Sequence, residues 1–392
     1  MTVLIFSFPP PVRHVVHFQA AKKRRRLFIG CELLSLLQLP QHPFSRPTGL
    51  QAAGISALFL CILTFIVVFH DSREYEQNKE VLGWEPYKNR TVAALLAAID
   101  SEEDAKEVLE GPECSSSLLL LVVVHSSPKN EERRMAVRHT WGSANDPSVK
   151  VVFLLGKVKN ESTEFQERIS KEQESFDDII QENFIDTYHN LTIKSVLMLR
   201  WFVENCRQAK YLFKTDDDMF VDYRVLTKSL REPLPKRIDP ESFLGGVLSQ
   251  DARPIKNTTD KWFMPSYLYA ESTYPDYVAG AGYLMSSQVA QKLYKASFEV
   301  EMIHMEDVYV TGICAQRAGI EPISLFGFTY AEIKKFNCKT RFFMSHRMTP
   351  DEMSDSWSTL TNCSSETSVQ SIFQEEGCGM WEKFKNLLRR YI

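Results

Sequence analysis

The 392-residue sequence has no excess of positive charge. It carries 46 Lys and Arg against 50 Asp and Glu, a net charge of −4. Nucleic-acid binders usually show a strong basic excess, so that class is set aside. There is no G-x-x-x-x-G-K-[ST] loop, no H-E-x-x-H and no G-x-S-x-G, which excludes readings as a P-loop NTPase, a zincin or an α/β-hydrolase. The closely spaced Gly280 and Gly282 do not extend to the dinucleotide pattern G-x-G-x-x-G. No internal repeat or long low-complexity tract is present, and the irregular cysteine spacing argues against a zinc site.

One long charge-free run is present. Gly49–Phe69 contains no charged residue. At 1.5 Å per residue such a run spans a bilayer core of roughly 30 Å. A buried core helix is the competing reading. Arg13, the block Lys22–Arg26 and Arg46 precede the run, and mixed charges follow it. This asymmetry predicts a cytoplasmic tail over 1–48, a signal anchor over 49–69 and a lumenal remainder. Six cysteines follow the run: Cys114, Cys206, Cys314, Cys338, Cys363 and Cys378. So do the sequons at Asn89, Asn160, Asn190, Asn257 and Asn362. Both fit an oxidising, glycosylating compartment, with disulfide pairing left open. Asn190 is the weakest acceptor, because it adjoins a core segment.

Residues 70–113 read as a stem containing a solvated tethering helix, and 114–392 as the folded domain. Leu118–Val124, Lys150–Gly156, the run "DIIQENF" and the run "YLFKT" are buried strands. Between them lie helices in "EERRMAVRHTWG", "EFQERISKEQESF" and Thr192–Cys206. This alternation predicts an α/β fold with an open, mostly parallel sheet. Ligands bind such sheets at the carboxyl ends of strands.

"FKTDDDMFV" places Asp216, Asp217 and Asp218 at such an end, between apolar residues. An exposed acidic turn is one reading. The chemical reading is a site for a hard divalent ion that bridges a diphosphate. Glu306-Asp307, at the start of a helix, is either a favourable partner for the helix dipole or a general base. Gly280 and Gly282 permit close backbone approach to a ligand, or mark a turn into a strand. A histidine such as His346 is more often structural than a ligand.

Taken in order, "RRMAVRHTWG", "VVFLLG", "FIDTYHNLTIKSVLMLRWFVENC", "YLFKTDDDMFV", "YPDYVAGAGYLMS" and "EDVYVTGICAQRAGI" resemble the β-1,3-galactosyltransferase family (glycosyltransferase family 31) over residues 114–350. The resemblance implies a GT-A (Rossmann-like) lumenal domain on a single-pass type II Golgi membrane anchor, a UDP-sugar donor, Mn²⁺ and a glycan acceptor. Homo-oligomerisation is left open. It implies metal contacts from Asp218, Asp216 and His346, with Asp217 near the ribose or sugar. It implies Asp307 as catalytic base with Glu306 beside it. Arg138, Lys194, Trp262, Gly280 and Gly282 are implied to line the donor side. Asn89, Asn160, Asn257 and Asn362 are the expected glycosylation sites. β-1,3-Galactosyl transfer is the leading activity. Transfer of N-acetylglucosamine or N-acetylgalactosamine on the same scaffold is the nearest alternative, and a silent lectin-like protein the remote one.

Overall fold

The computed structural model describes residues 91–101, 109–143, 146–160, 162–236, 238–338, 340, 342–363 and 371–373. The chain divides into units Met1–Asp71 and Ser72–Ile392, and every described residue belongs to the second. The expected anchor at Gly49–Phe69, the sequon at Asn89 and Cys378 lie outside the described residues. Among the described residues, no helix is long and apolar enough to cross a membrane.

A seven-stranded sheet organises the second unit, in the order β3-β2-β1-β4-β7-β6-β8. Its first four strands are β1 (Leu120–His125), β2 (Val149–Lys157), β3 (Ile179–Ile185) and β4 (Tyr211–Asp216). These four pair in parallel. Every residue of β1 is buried. A strand covered on both faces needs apolar residues at successive positions, which is why the sequence run is continuous and not alternating. The short β5 (Phe220–Val221) lies outside this sheet, and the other strands are β6 (Leu244–Ser249), β7 (Tyr277–Ser286) and β8 (Ile323–Ser324). β7 runs antiparallel to both β4 and β6. The fold is therefore mixed α/β with a mostly parallel central sheet. Gly280 and Gly282 lie inside β7, not in a turn.

The helices cover both faces. Leu121 and Val123 of β1 share one core with α4 (Leu191–Asn205), α6 (Ser287–Ser297) and the short α7 (Ala315–Arg317). Leu120, Val122 and Val124 point into the other core. That core is closed by α2 (Glu131–His139), α3 (Thr163–Phe176), α5 (Tyr223–Arg231) and α8 (Pro350–Thr361). Sequence signals set the ends of several helices. Ser162 caps α3 through Phe165 N–H, and Thr349 with Glu352 forms a reciprocal capping box on α8.

The stem expectation needs a correction. Helix α1 (Val92–Ser101) buries Val92, Leu95 and Ile99 in the first core, so it does not stand in solvent. Arg200 ties it down through Asp100 at 2.9 Å. The three apolar residues at helical spacing were a packing face. Disulfides join Cys114 to Cys206 and Cys338 to Cys363, while Cys314 is a buried free thiol.

Candidate active site

The carboxyl ends of β1 and β4 open on a cavity of about 1100 Å³. His125, Ser126, Lys194, Lys214, Asp216, Asp217, Asp218, Trp262, Gly280, Glu306, Asp307 and His346 are among the residues that line it. Strand order gives the location. β1 proceeds to β2 on one side, while β4 joins β1 on the other, and this reversal leaves a crevice at the strand ends.

The three aspartates are held differently. Asp216 ends β4, and its Oδ1 accepts a 2.6 Å hydrogen bond from Lys214 Nζ. Lys214 also donates to the Gly280 carbonyl at 2.6 Å, so one buried ammonium links the triplet to β7. Burial opposes that ammonium, but Asp216, Glu306 and Asp307 more than compensate and raise its pKa. Asp217 turns back under the sheet edge. Its Oδ2 accepts from Ser126 Oγ at 2.7 Å and from Asn130 Nδ2 at 2.8 Å. Asp218 faces His346, with Oδ2 and Nε2 3.8 Å apart. Burial and the adjacent Asp216 charge push the Asp218 pKa up. Arg133, 3.7 Å from the same oxygen, and His346 offset only part of that cost.

Among the described residues, no group of three or more His, Cys, Asp or Glu side chains is already gathered about one point to hold a metal. Two donors do converge, Asp218 and His346. A carboxylate and an imidazole suit Mn²⁺, and the surplus negative charge at Asp218 fits a cation. The donor set is compatible with an ion that completes its shell from a ligand.

Glu306 and Asp307 are adjacent in sequence but occupy different surroundings. Glu306 Oε1 accepts from Ser195 Oγ at 2.6 Å and from Tyr283 OH at 2.7 Å. Those hydroxyls come from α4 and β7 and fix the group in the floor. Asp307 is half-buried. It accepts only backbone N–H groups, from Val308 to Oδ1 at 2.9 Å and from Gly280 to Oδ2 at 3.2 Å. Burial raises its pKa. A carboxylate with spare lone pairs, a raised pKa and a face on the cavity can accept a proton from a bound hydroxyl. Gly280 permits this closeness, since a Cβ there would sit 3.1 Å from Glu306 Oε2. A π-helical stretch, Val308–Cys314, follows at once. Such wide turns recur at functional sites. Thr311 locks it to β7, accepting from Val278 N–H at 3.0 Å while its hydroxyl reaches the Asp307 carbonyl at 2.6 Å.

The remaining predicted residues separate. Trp262 stands at the cavity mouth, half-exposed, donating through Nε1 to Tyr188 OH at 3.0 Å under the Lys261 ammonium. Lys194 lines the cavity, but its ammonium is committed to the Ser126 carbonyl and to Asp186, both at 2.7 Å. Arg138 does not line it. Its guanidinium makes paired bonds to Asp178 at 2.8 and 2.7 Å, a bond to Glu172 at 2.7 Å, and lies over Phe153 and Phe176. Gly282 is likewise a packing glycine, where a Cβ would meet Met344 Cε at 2.6 Å. Lys214, Ser126, Asn130 and Arg133, whose guanidinium lies 3.4 Å from Asp217, escaped the sequence reading. Lys214 was the detectable one, a charged residue in a strand otherwise fit for burial. Asn160, Asn257 and Asn362 are exposed, whereas Asn190 is buried and donates to the Ile185 carbonyl at 2.8 Å.

Residues 132–325 match the galactosyltransferase family model. Beta-1,3-galactosyltransferase 1 of Mus musculus and of Homo sapiens is 38% identical over 240 residues, 60% of this chain and 71% of the relative. Beta-1,3-galactosyltransferase 2 of Homo sapiens is 35% identical over 243 residues, 60% of this chain and 57% of the relative. Two solved structures are more distant. The WbbM bifunctional glycosyltransferase aligns at TM-score 0.34 and 12% identity, covering 64% of this chain and 51% of its own. Mouse xyloside xylosyltransferase 1 aligns at TM-score 0.28 and 10% identity, covering 58% and 96%. On the sequence matches, the chain belongs to the β-1,3-galactosyltransferase family and is a hexosyltransferase.

Proposed function

We propose that this chain transfers galactose from UDP-galactose to the 3-hydroxyl of an acceptor glycan, with inversion at the anomeric carbon. The observation that carries this reading is the placement of Asp307 and the Asp216–Asp218 triplet on one cavity. Asp307 takes the acceptor's hydroxyl proton as that oxygen bonds to the anomeric carbon. The bond from that carbon to the phosphate oxygen breaks, and UDP departs. An α-linked donor then gives a β-linked product. Glu306, held by Ser195 and Tyr283, keeps the base's backbone in position. Asp218 and His346 would hold Mn²⁺, with Asp216 beside them. When bound, that ion supplies positive charge to the diphosphate leaving group. Asp217 lies on the nucleotide side, and Trp262 at the mouth offers an apolar face to a sugar ring.

The finer fold reading is a GT-A domain, supported by the strand order and by the acidic triplet at the end of β4. The charge pattern around Gly49–Phe69 supports a type II Golgi anchor with a lumenal domain. Exposed Asn160, Asn257 and Asn362 support N-glycosylation there.

Full-length protein incubated with UDP-galactose, UDP-N-acetylglucosamine or UDP-N-acetylgalactosamine, an acceptor glycan panel and either Mn²⁺ or EDTA tests the reading. The expected result is Mn²⁺-dependent UDP release and a β-1,3-galactosylated product. Equal turnover in EDTA overturns the metal assignment. Product only from an N-acetylhexosamine donor overturns the choice of galactose.

A further inference from the structure

His125 is used by none of the chemistry above, and it is the last residue of β1, at the crevice between β1 and β4. Alternation along the strand puts it on the same face as Leu121 and Val123, above their core. The residue is 4% exposed and lines the cavity. Neither Nδ1 nor Nε2 has a hydrogen-bond partner. A buried polar group without a partner is costly, so an unpartnered imidazole at a cavity wall calls for a reason. Lys214 and Lys194 lie nearby, and a histidine of ordinary pKa is largely neutral at pH 7. A neutral imidazole offers one N–H and one lone pair. Two neighbouring ammonium groups disfavour a cation at this point, so it is not a second metal site. A hydroxyl, which both donates and accepts, is the matching ligand.

We infer that His125 hydrogen-bonds a hydroxyl of the bound sugar nucleotide and so contributes to donor recognition. The inference rests on the donor reading above. The hydroxyl comes from the ribose or from the transferred hexose, and binding of UDP alone separates the two.

The test is calorimetric titration of the full-length chain with UDP and with UDP-galactose in Mn²⁺, for wild type, His125→Leu and His125→Asn. His125→Leu is expected to weaken UDP-galactose binding about tenfold, the equivalent of one hydrogen bond. An equal loss with UDP identifies the ribose, and a loss confined to UDP-galactose identifies the hexose. His125→Asn, which keeps a donor and an acceptor, is expected to stay closer to wild type. Equal binding by wild type and His125→Leu overturns the inference, and a raised melting temperature in that variant then marks His125 as an unpaired core group. If His125→Leu fails to fold, His125→Phe, a ring without nitrogens, takes its place. A tenfold or greater loss of UDP-galactose binding by His125→Phe, with its melting temperature unchanged, supports the inference, and unchanged binding overturns it. If the wild type itself binds neither nucleotide, the donor reading fails and takes this inference with it. Wild-type binding together with indifferent variants defeats this inference alone.

Discussion

Two buried ionic centres lie on opposite sides of the sheet's functional edge, and they are built to different rules. In the first, Arg134 and Arg138 meet Glu172 and Asp178. Arg134 is fully buried and bonds Glu172 through Nε at 2.8 Å and Nη2 at 2.6 Å. Its Nη1 satisfies the Ser127 carbonyl at 2.8 Å. Two cations face two anions, so charge balances, and one further bond runs from Arg134 Nη1 to Ser126 Oγ at 3.2 Å. In the second, the Lys214 ammonium sits among Asp216, Glu306 and Asp307, with Asp217 and Asp218 close by. Acids outnumber bases, and the surplus opens on the cavity. The first centre holds α2 to α3. The second is incomplete by itself, as the proposed metal and donor site requires. A buried charge therefore points to function when its neighbours leave it uncompensated, and to architecture when they do not.

The contrast can be broken most strongly at Asp307. Asp307→Asn should lower turnover by about 10²–10⁴-fold while leaving UDP binding and melting temperature near wild type. Steady-state kinetics beside calorimetry measure both, and retained turnover removes Asp307 as the base. Glu172→Ala should do the reverse. It strands a buried guanidinium and should cost about 3–5 kcal/mol of stability, with activity per folded molecule preserved. Urea unfolding followed by fluorescence reads the loss.

pH separates the centres more gently. Burial opposes the Glu172 carboxylate, but its two arginines win and depress its pKa below 4.5. Its contribution to stability is present above that value and fades as pH falls through the depressed one. Asp307 is shifted upward by burial, and the proposed role as base requires its ionised form. The acid limb of kcat/KM should therefore lie above the ordinary aspartate value of 3.8, at a pH where the arginine network is still intact. A pH–rate profile beside a pH–stability profile tests this, and coincident limbs would erase the distinction. The smallest effect is expected at Trp262→Ala. A half-exposed ring at the mouth should raise the acceptor KM several-fold, with kcat and stability little changed.

The sequence was most readable where one local rule sufficed. Leu118–Val124 and "YLFKT" are runs that only a doubly covered strand accommodates, and β1 and β4 lie there. The antiparallel half was opaque, because the glycines of β6 and β7 permit both strand and turn. The acidic triplet was visible as a site, yet its division of labour was not. Ser126 and Asn130 reach Asp217 from 91 and 87 residues away. The same holds for Glu306, whose partner Ser195 is 111 residues upstream, so no local pattern says which member of the pair opens on the cavity. Arg138 illustrates the opposite error. Its motif resembled a donor-site element, but Asp178, 40 residues later, claims it. The burial of α1 was legible in principle from Val92, Leu95 and Ile99.

The widened helical turn over Val308–Cys314 makes this region tolerant of a change in chain length that would flip every side chain of a strand. Deleting one residue inside it would restore ordinary winding and leave the flanking segments close to their present register, because the wide turn is what absorbs the surplus residue. The acids at 306 and 307 would keep roughly their aim, while the clasp that Thr311 makes to Val278 and to the Asp307 carbonyl would be displaced. A single-codon loss here is thus expected to yield a folded protein whose acids survive without their brace.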